Sequence, residues 1–309
     1  MSKQLFLKIV KLVFTPIPQS SIVQSGFVKE TTMEGIVTAK SVMSFDECES
    51  FVNGFYTDNI FSDPMVSNAE QIKCNLINAI EKKDTHVVIG ICMNHQMIGL
   101  FSFLTLKDEQ YIEMLVGLSR YEEAYSAMFA YLKEHFIGYS ADFVFNPNNY
   151  LLYDCLKQNG AEFYEEEQRM AYNNSALNVD TNGVEILTEL YIPSYVEIHR
   201  SDMYWTGDKI LVANDRFRTL IAIENGGVVG YLDVTYCHEE NELYDLWVEE
   251  EYRRKGYGRK LLAKALEMNK PKGMMLLVEI HNEVAIYLYE SMGFEKIDNQ
   301  NSVAAHLQM

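Results

Sequence analysis

The sequence lacks the features by which disulfide frameworks, metal centres and membrane spans are recognised. Its five cysteines are widely spaced and include no C-x-x-C pair, which is typical of reduced thiols in a cytosolic protein. Its seven histidines form no H-E-x-x-H motif, so we expect no metal. No uninterrupted apolar run approaches the roughly 18 residues of a transmembrane helix. We therefore expect a cytoplasmic protein with no membrane partner, in which residues 5–14 form an opening strand and not a signal peptide.

Basic residues are also scarce. The chain has 26 Lys plus Arg against 44 Asp plus Glu, a formal net charge of −18. Nucleic acids and anionic membranes bind clustered basic residues, so this balance argues against both kinds of partner. The same charge favours a cationic or amine-bearing partner, which an acidic protein attracts electrostatically.

The length and the position of polar, turn-prone clusters predict two domains. A chain of 309 residues is long enough for two domains of ordinary size, each with its own core. Polar clusters at residues 173–175 and 180–183 are the best candidates for a linker. We therefore expect one domain over residues 1–176 and a second over residues 177–309.

The same order of predicted elements occurs in both halves, which indicates an internal duplication. Asn149 and Asn282 lie 133 residues apart, and so do Glu109 and Glu242. The alternative is a coincidence of element order in two α/β domains. The apolar patterns predict strands at 86–92, 97–106, 111–118 and 143–145 with helices at 124–135 and 150–158, and then strands at 219–223, 228–235, 243–248 and 274–280 with helices at 256–268 and 284–291.

One segment of the second half has the composition of an anion-binding turn. A strand ending near Val248 leads into a turn with Gly256 and Gly258, and a helix follows. Glycines allow backbone amides to point at a ligand, and the helix N-terminus adds partial positive charge. Basic residues opposing the helix dipole make sense where a polyanion binds, and the alternative is a solvated basic surface. The basic residues of this segment are Arg253, Arg254, Lys255, Arg259 and Lys260.

Two motifs in this half resemble those of the GNAT N-acetyltransferase superfamily. Residues 253–258, RRKGYG, resemble the [QR]-x-x-G-x-[GA] loop that binds the pyrophosphate of acyl-CoA in that family. Residues 282–294 resemble its N-x-x-A-x-x-x-Y-x-x-x-G-F signature. One departure is Glu250, which stands where the family often has proline.

The resemblance implies an α/β fold with two tandem GNAT-like domains, each a central mixed β-sheet flanked by helices. It also implies acetyl-CoA as co-substrate, bound in a wedge between the fourth and fifth strands. The Val248 amide would polarise the thioester carbonyl, and Asn282 would hydrogen-bond the pantetheine. The other residues implied to bind the co-substrate are Leu246 and Trp247, which would pair with the pantetheine arm, and Arg253, Arg254, Lys255, Gly256, Tyr257, Gly258 and Arg259 around the pyrophosphate.

Two catalytic residues follow from the same resemblance. Tyr289 would protonate the departing thiolate, since a phenol stays protonated at neutral pH; its alternative role is that of a core tyrosine. Glu242 is the expected general base, with Asp245 or a water relay as alternatives, and both carboxylates are also compatible with a plain acidic surface.

The first half has lost these residues. At a spacing of 133, Gly256 corresponds to Glu123, Gly258 to Tyr125 and Tyr289 to Leu156. Carboxylates at this turn would repel a pyrophosphate. We expect a degenerate domain that is structural and forms part of the acceptor pocket.

The resemblance and the charge together predict an N-acetyltransferase acting on a small, cationic primary amine. Alternatives are an enzyme of the same fold that modifies a protein or peptide amine, and a non-catalytic acyl-CoA sensor. We expect a monomer or a weak homo-oligomer.

Overall fold

The computed structural model describes residues 36–56, 58, 60–61, 69–173, 179–201 and 205–309. Within these residues the chain forms two seven-stranded mixed sheets flanked by helices, as predicted. The strand predicted at residues 5–14 lies outside them. None of the helices in the described ranges is long and apolar enough to span a bilayer.

The described residues of the first half form four α-helices and seven strands. These are β1 (Val37–Ser41), α1 (Glu49–Asn53), α2 (Ala69–Glu81), β2 (His86–Met93), β3 (Gln96–Leu106), β4 (Tyr111–Ser119), α3 (Glu122–His135), β5 (Ser140–Phe145), α4 (Tyr150–Gln158), β6 (Glu162–Phe163) and β7 (Glu167–Tyr172).

The part of the second half that the structure describes has the same number of each. These are β8 (Val184–Ile186), α5 (Ile192–Ile198), α6 (Gly207–Val212), β9 (Phe217–Glu224), β10 (Gly227–Thr235), β11 (Glu240–Val248), α7 (Tyr257–Asn269), β12 (Gly273–Glu279), α8 (Glu283–Ser291), β13 (Phe294–Lys296) and β14 (Val303–Gln308).

Each sheet contains a strand from the opposite half of the chain. The first sheet has the order β1-β2-β3-β4-β5-β14-β6, and the second has β13-β7-β12-β11-β10-β9-β8. The exchanged strands meet where the Glu167 N–H donates to the Ser302 carbonyl at 2.8 Å and the Ser302 N–H donates back at 3.0 Å. The division at residues 176/177 therefore stays a prediction, and one strand crosses it in each direction.

Strand register corrects the constant spacing of 133 between the halves. Glu113 is the last residue of β4 paired with β5, and Glu242 is the last residue of β11 paired with β12. Glu242 therefore corresponds to Glu113 and not to Glu109, which ends a short 3-10 turn before β4. The second half gains four residues after β11, where a 3-10 turn at Glu250–Tyr252 precedes the glycines.

Beyond that turn the spacing of 133 holds. Asn149 and Asn282 both cap a helix, and each side-chain oxygen accepts from a backbone N–H three residues later at 3.1 Å. Gly160 and Gly293 follow those helices with φ of 82° and 87°. The matched caps support the predicted duplication.

Candidate active site

The site begins where two parallel strands of the second sheet separate. β11 pairs with β12 only from Glu240 to Glu242, opposite Gly273 to Met275. From Met275 onward β12 pairs with β7, while β11 continues to Val248 beside β10 alone. The far edge of β11 therefore borders an open gap, at the place where the family resemblance puts the co-substrate.

Two of the three predicted β11 residues direct their backbone amides at this gap. The Glu249 N–H donates to the Val229 carbonyl on the β10 side at 3.0 Å. Because successive residues of a strand alternate, the N–H of Trp247 also faces β10, and those of Leu246 and Val248 face the gap. Arg253 Nε donates to the Val248 carbonyl at 2.9 Å, which agrees with that direction.

The predicted pyrophosphate turn has the backbone that such a turn needs. Gly256 is the N-cap of α7 with φ of 93°, a left-handed conformation that favours glycine. A Cβ at Gly256 would meet nothing within 4 Å, so the space above the helix N-terminus is open. The first four N–H groups of an α-helix have no intrahelical acceptor, so this end of α7 presents free donors. A Cβ at Gly258 would lie 3.4 Å from Leu288, so this second glycine allows close packing of α7 on α8.

The basic side chains around the turn divide into two groups. Arg253 holds the Val248 carbonyl, and Arg259 donates to Ser291 Oγ at 2.7 Å at the end of α8. These two guanidinium groups thus fix the geometry of the turn. Arg254 and Lys255 form no ion pair with any described residue, although Lys255 Nζ lies 5.1 Å from the centre of the Tyr252 ring.

Three further predicted residues have defined surroundings. The Tyr257 hydroxyl donates to Glu224 Oε2 at 2.8 Å. Asn282 is exposed, and its Oδ1 is used as a helix cap, which leaves its Nδ2 as a donor. Trp247 stacks on Tyr231 with ring centres 5.9 Å apart.

Tyr289 is buried on α8 and packs edge-on against Phe294. Its hydroxyl forms no hydrogen bond with any described residue. Burial, and then the charge of Asp245, raise the pKa of the phenol above its ordinary value. The group is thus held protonated, as a general acid requires, and its proton is available.

Glu242 lies at the point of separation, with its backbone N–H donating to Thr235 Oγ1 at 2.7 Å. Glu167 of the exchanged strand β7 pairs with Glu279 at the other end of β12. Burial raises the pKa of Glu167 to about 7, and the charges of Glu242 and Glu279 add to the effect. Sequence reasoning missed Glu167 because this residue belongs to the first half and reaches the second sheet only through strand exchange.

Asp245 belongs to a buried polar cluster that sequence reasoning did not predict. Its Oδ2 accepts from the Tyr231 hydroxyl at 2.7 Å. His199, Asp233 and Asp245 place potential metal ligands within 4.8 Å of one another. Asp233 is fully buried, and its oxygens already accept hydrogen bonds from Tyr195, Thr219 and His199. A fully hydrogen-bonded carboxylate fits a structural cluster better than a metal centre, and the expected absence of a metal stays a prediction.

The first sheet has a similar separation, but a side chain bridges its border. β4 pairs with β5 only from Tyr111 to Glu113. The Tyr125 hydroxyl donates to the Ser119 carbonyl at the end of β4 at 3.0 Å, and Asn149 Nδ2 donates to the Tyr125 hydroxyl at 2.9 Å. Hairpin register aligns Ser119 with Val248, so the Ser119 carbonyl accepts from a phenol where the Val248 carbonyl accepts from the Arg253 guanidinium. The phenol also bonds Asn149, whereas no described residue bonds Nδ2 of the equivalent Asn282.

Comparison with known proteins finds a family match in the second half of the chain. The acetyltransferase (GNAT) family matches residues 184–294. The ribosomal protein bS18-alanine N-acetyltransferase of Escherichia coli K12 is 27% identical over 114 residues, which are 35% of this chain and 76% of that protein. An uncharacterised protein of Mycobacterium leprae is 38% identical over 74 residues, which are 23% of this chain and 21% of its own length. The match confirms the family resemblance of the two motifs and the predicted class of acyltransferase.

Solved structures support the tandem fold over most of the chain. A GCN5-related N-acetyltransferase from Sphaerobacter thermophilus has a TM-score of 0.64 at 11% identity, covering 88% of this chain and 95% of its own. A tandem GNAT protein from the clavulanic acid biosynthesis pathway has a TM-score of 0.54 at 11% identity, covering 88% and 98%. At such identities the likeness concerns the fold, and it confirms the predicted pair of GNAT-like domains.

Proposed function

We propose that this chain, which belongs to the GNAT acetyltransferase superfamily, transfers an acetyl group from acetyl-CoA to the primary amine of a small, cationic molecule. The observation that carries the proposal is the gap beside β11. Unpaired amides of Leu246 and Val248 border it on one side, and the open N-terminus of α7 lies beyond its end. A bound acyl-CoA satisfies both sets of donors, with its pantetheine along β11 and its pyrophosphate at Gly256 to Arg259.

The residues of the gap fit the chemistry of acyl transfer. The amine nitrogen attacks the thioester carbonyl, whose oxygen the Val248 amide stabilises. Tyr289 then donates its proton to the departing thiolate. Among the carboxylates near the gap, Glu242 and Asp245 are the two that the sequence suggests as base, and Glu167 joins them through its raised pKa.

The net charge of −18 supports a cationic acceptor. Long-range attraction increases the rate at which such an amine meets the site, and this effect weakens as salt is added. A protein N-terminus is the second candidate acceptor, because the E. coli relative is named for acetylating alanine of a ribosomal protein.

The first half, in this proposal, binds no acyl-CoA. The Tyr125 hydroxyl takes the hydrogen-bonding groups at the end of β4 and the start of α4. The half would then serve as a scaffold, contributing β7 and Glu167 to the second sheet.

The test is an acetyl-transfer assay that follows release of free thiol from acetyl-CoA with a panel of amines. The panel contains polyamines, amino acids and a peptide with N-terminal alanine. Turnover with polyamines or other small cations supports the proposal, and turnover with the peptide alone assigns the second candidate. If acetyl-CoA binds but no thiol is released with any amine, the result supports the alternative of a non-catalytic acyl-CoA sensor.

A further inference from the structure

We propose that Asp245 is the catalytic carboxylate that takes the proton of the acceptor amine, and that Tyr231 and His199 are positioning residues for it. This inference rests on the proposed acetyl transfer.

Asp245 has one oxygen fixed and one oxygen available. Oδ2 accepts the 2.7 Å hydrogen bond from the Tyr231 hydroxyl. Oδ1 accepts none from the described residues, and it is not among the polar atoms that the fold seals from solvent. The carboxylate is thus anchored through one oxygen, while the other keeps access to solvent and to an incoming amine. This is the arrangement that a general base needs.

Asp245 and Tyr289 lie on opposite faces of the sheet. Asp233 and Asp245 are direct cross-strand partners and share the face covered by α5, as Tyr231 and Trp247 do. Tyr289 packs in the cluster on the other face, against α7. β11, which carries Asp245, borders the gap, and α8, which carries Tyr289, follows β12 on the other side of it. In this proposal the base and the acid therefore act from the two faces of the sheet. The effect of the Asp245 charge on the pKa of Tyr289 agrees with that placement.

The distance along β11 favours Asp245 over Glu242. A strand advances about 3.3 Å per residue, so Asp245 lies roughly 10 Å from Val248 and Glu242 roughly 20 Å. A general base has to come within hydrogen-bond reach of the amine, directly or through one water. The amine attacks at the carbonyl held by Val248, so Asp245 is the nearer carboxylate.

A rigid cluster holds the Tyr231 phenol. Its ring stacks on His199 with centres 4.7 Å apart and planes at 16°. Its hydroxyl also accepts the backbone N–H of Arg200 at 3.2 Å. His199 is fixed in turn by Asp233 Oδ2, at 3.0 Å from Nε2, and by the Arg200 carbonyl, at 2.8 Å from Nδ1. These contacts hold the Tyr231 phenol in a single orientation, in which its hydroxyl donates to Asp245 Oδ2.

The step balances without an oxidant or reductant. The amine nitrogen forms a bond to the carbonyl carbon while its proton moves to Asp245 Oδ1. The carbon–sulfur bond breaks, and the thiolate takes the proton of Tyr289. Exchange with solvent then returns both side chains to their starting protonation states. Burial raises the pKa of Asp245, which makes it a stronger base than an exposed aspartate.

Several titratable or charged groups act on Asp245, and the test has to separate them. They are Tyr231 and Asp233 from β10, His199 and Arg200 at the end of α5, Tyr289 from α8, and Glu242 and Tyr244 on its own strand. Among these, the Tyr231 hydrogen bond lowers the pKa of Asp245. Removing this bond should therefore move the acidic limb of the kcat/KM profile to higher pH.

The experiment compares Asp245→Asn, Tyr231→Phe and the competing candidate Glu242→Gln in steady-state kinetics across pH, with acetyl-CoA binding measured separately. Asp154→Asn, at an exposed aspartate of α4 in the first half, is the matched control. We expect Asp245→Asn to lower kcat by about 10²–10³-fold with unchanged acetyl-CoA affinity. We expect Tyr231→Phe to shift the acidic limb to higher pH, Glu242→Gln to lose less rate than Asp245→Asn, and the control Asp154→Asn to stay within about threefold of the natural protein.

A full rate in Asp245→Asn, or an unmoved acidic limb in Tyr231→Phe, overturns the assignment. Loss of rate in Glu242→Gln alone transfers the role to Glu242. If Asp245→Asn does not fold, the profile of Tyr231→Phe decides by itself. Failure of the natural protein to acetylate any amine is a separate result, which overturns the proposed function and this inference together.

Discussion

The Tyr125 hydroxyl lies 2.9 Å from Asn149 Nδ2, and this hydrogen bond joins α3 to the N-terminus of α4 beside the gap of the first sheet. The equivalent Asn282 of the second half is exposed, and its Nδ2 has no such partner among the described residues. The two halves thus use one cap geometry in two ways. The first half bonds the side-chain amide of its capping asparagine internally, and the second half leaves that amide for a ligand.

This difference predicts contrasting effects of two Tyr→Phe changes on stability. Tyr125→Phe leaves the Ser119 carbonyl and the Asn149 amide without a partner in a buried region, which should lower the free energy of unfolding by about 1–3 kcal/mol. Tyr289→Phe removes a hydroxyl that bonds no described residue, so we expect a change within about 0.5 kcal/mol. Urea unfolding of both variants measures the difference, and equal losses would contradict the role given to Tyr125.

The same Tyr289→Phe variant tests the general acid. We expect kcat to fall by about 10–100-fold with unchanged affinity for acetyl-CoA, because only protonation of the thiolate is lost. Thiol release and a binding titration provide the two measurements. Tyr257→Phe is the matched control, since the Tyr257 hydroxyl only bonds the side chain of Glu224 and should leave kcat nearly unchanged. A Tyr289→Phe enzyme with a full rate removes the acid assignment.

Gly256→Ala should weaken acetyl-CoA binding at least tenfold. The added Cβ enters the open space above the N-terminus of α7, and a φ of 93° strains any residue other than glycine. Gly160→Ala is an unusually close control. Gly160 also has a left-handed φ, 82°, and open space around its Cβ position, but it lies beyond α4 in the first half. Each change should cost about 1 kcal/mol of stability, and only the first should alter binding. If both variants bind acetyl-CoA normally, the pyrophosphate does not bind at the turn that contains Gly256.

Glu167 gives a prediction about pH and stability. Its pKa is raised from 4.5 to about 7, chiefly by burial, so its charged form is disfavoured in the folded protein. The neutral carboxyl supports the fold fully below about pH 4.5, and that support is lost as the pH rises through 7. Glu167→Gln should therefore be more stable than the natural protein at pH 8, by on the order of 1–3 kcal/mol, and equally stable at pH 4. Melting curves at the two pH values test this, and a destabilised variant at pH 8 would count against it.

Local patterns in the sequence predicted most of the elements that build the site. The apolar patterns of the strands predicted at 219–223 and 228–235 and of the helix predicted at 256–268 are short-range signals, and β9, β10 and α7 are present in the structure. The glycines of the pyrophosphate turn could be recognised in the sequence because only glycine suits a left-handed turn next to a ligand. These features depend on neighbouring residues, so one sequence is enough to predict them.

The features that the sequence did not predict depend on distant contacts. β7 and β14 exchange between sheets, and nothing in their six-residue patterns specifies a partner far away in the chain. The cluster around Asp245 needs α5 to bring His199 onto the sheet. The sequence shows that Tyr125 stands where the second half has a glycine. Its hydrogen bonds to Ser119 and Asn149 could be recognised only from the structure.

The most direct test of the account is a calorimetric titration of the whole chain with acetyl-CoA, read for stoichiometry. We expect one site per chain, formed by the second half, and a Tyr125→Phe variant with the same stoichiometry. Two sites per chain would contradict the assignment of the first half as a closed domain. No binding at high micromolar acetyl-CoA would contradict the pyrophosphate site at Gly256 and, with it, the proposed acetyl transfer.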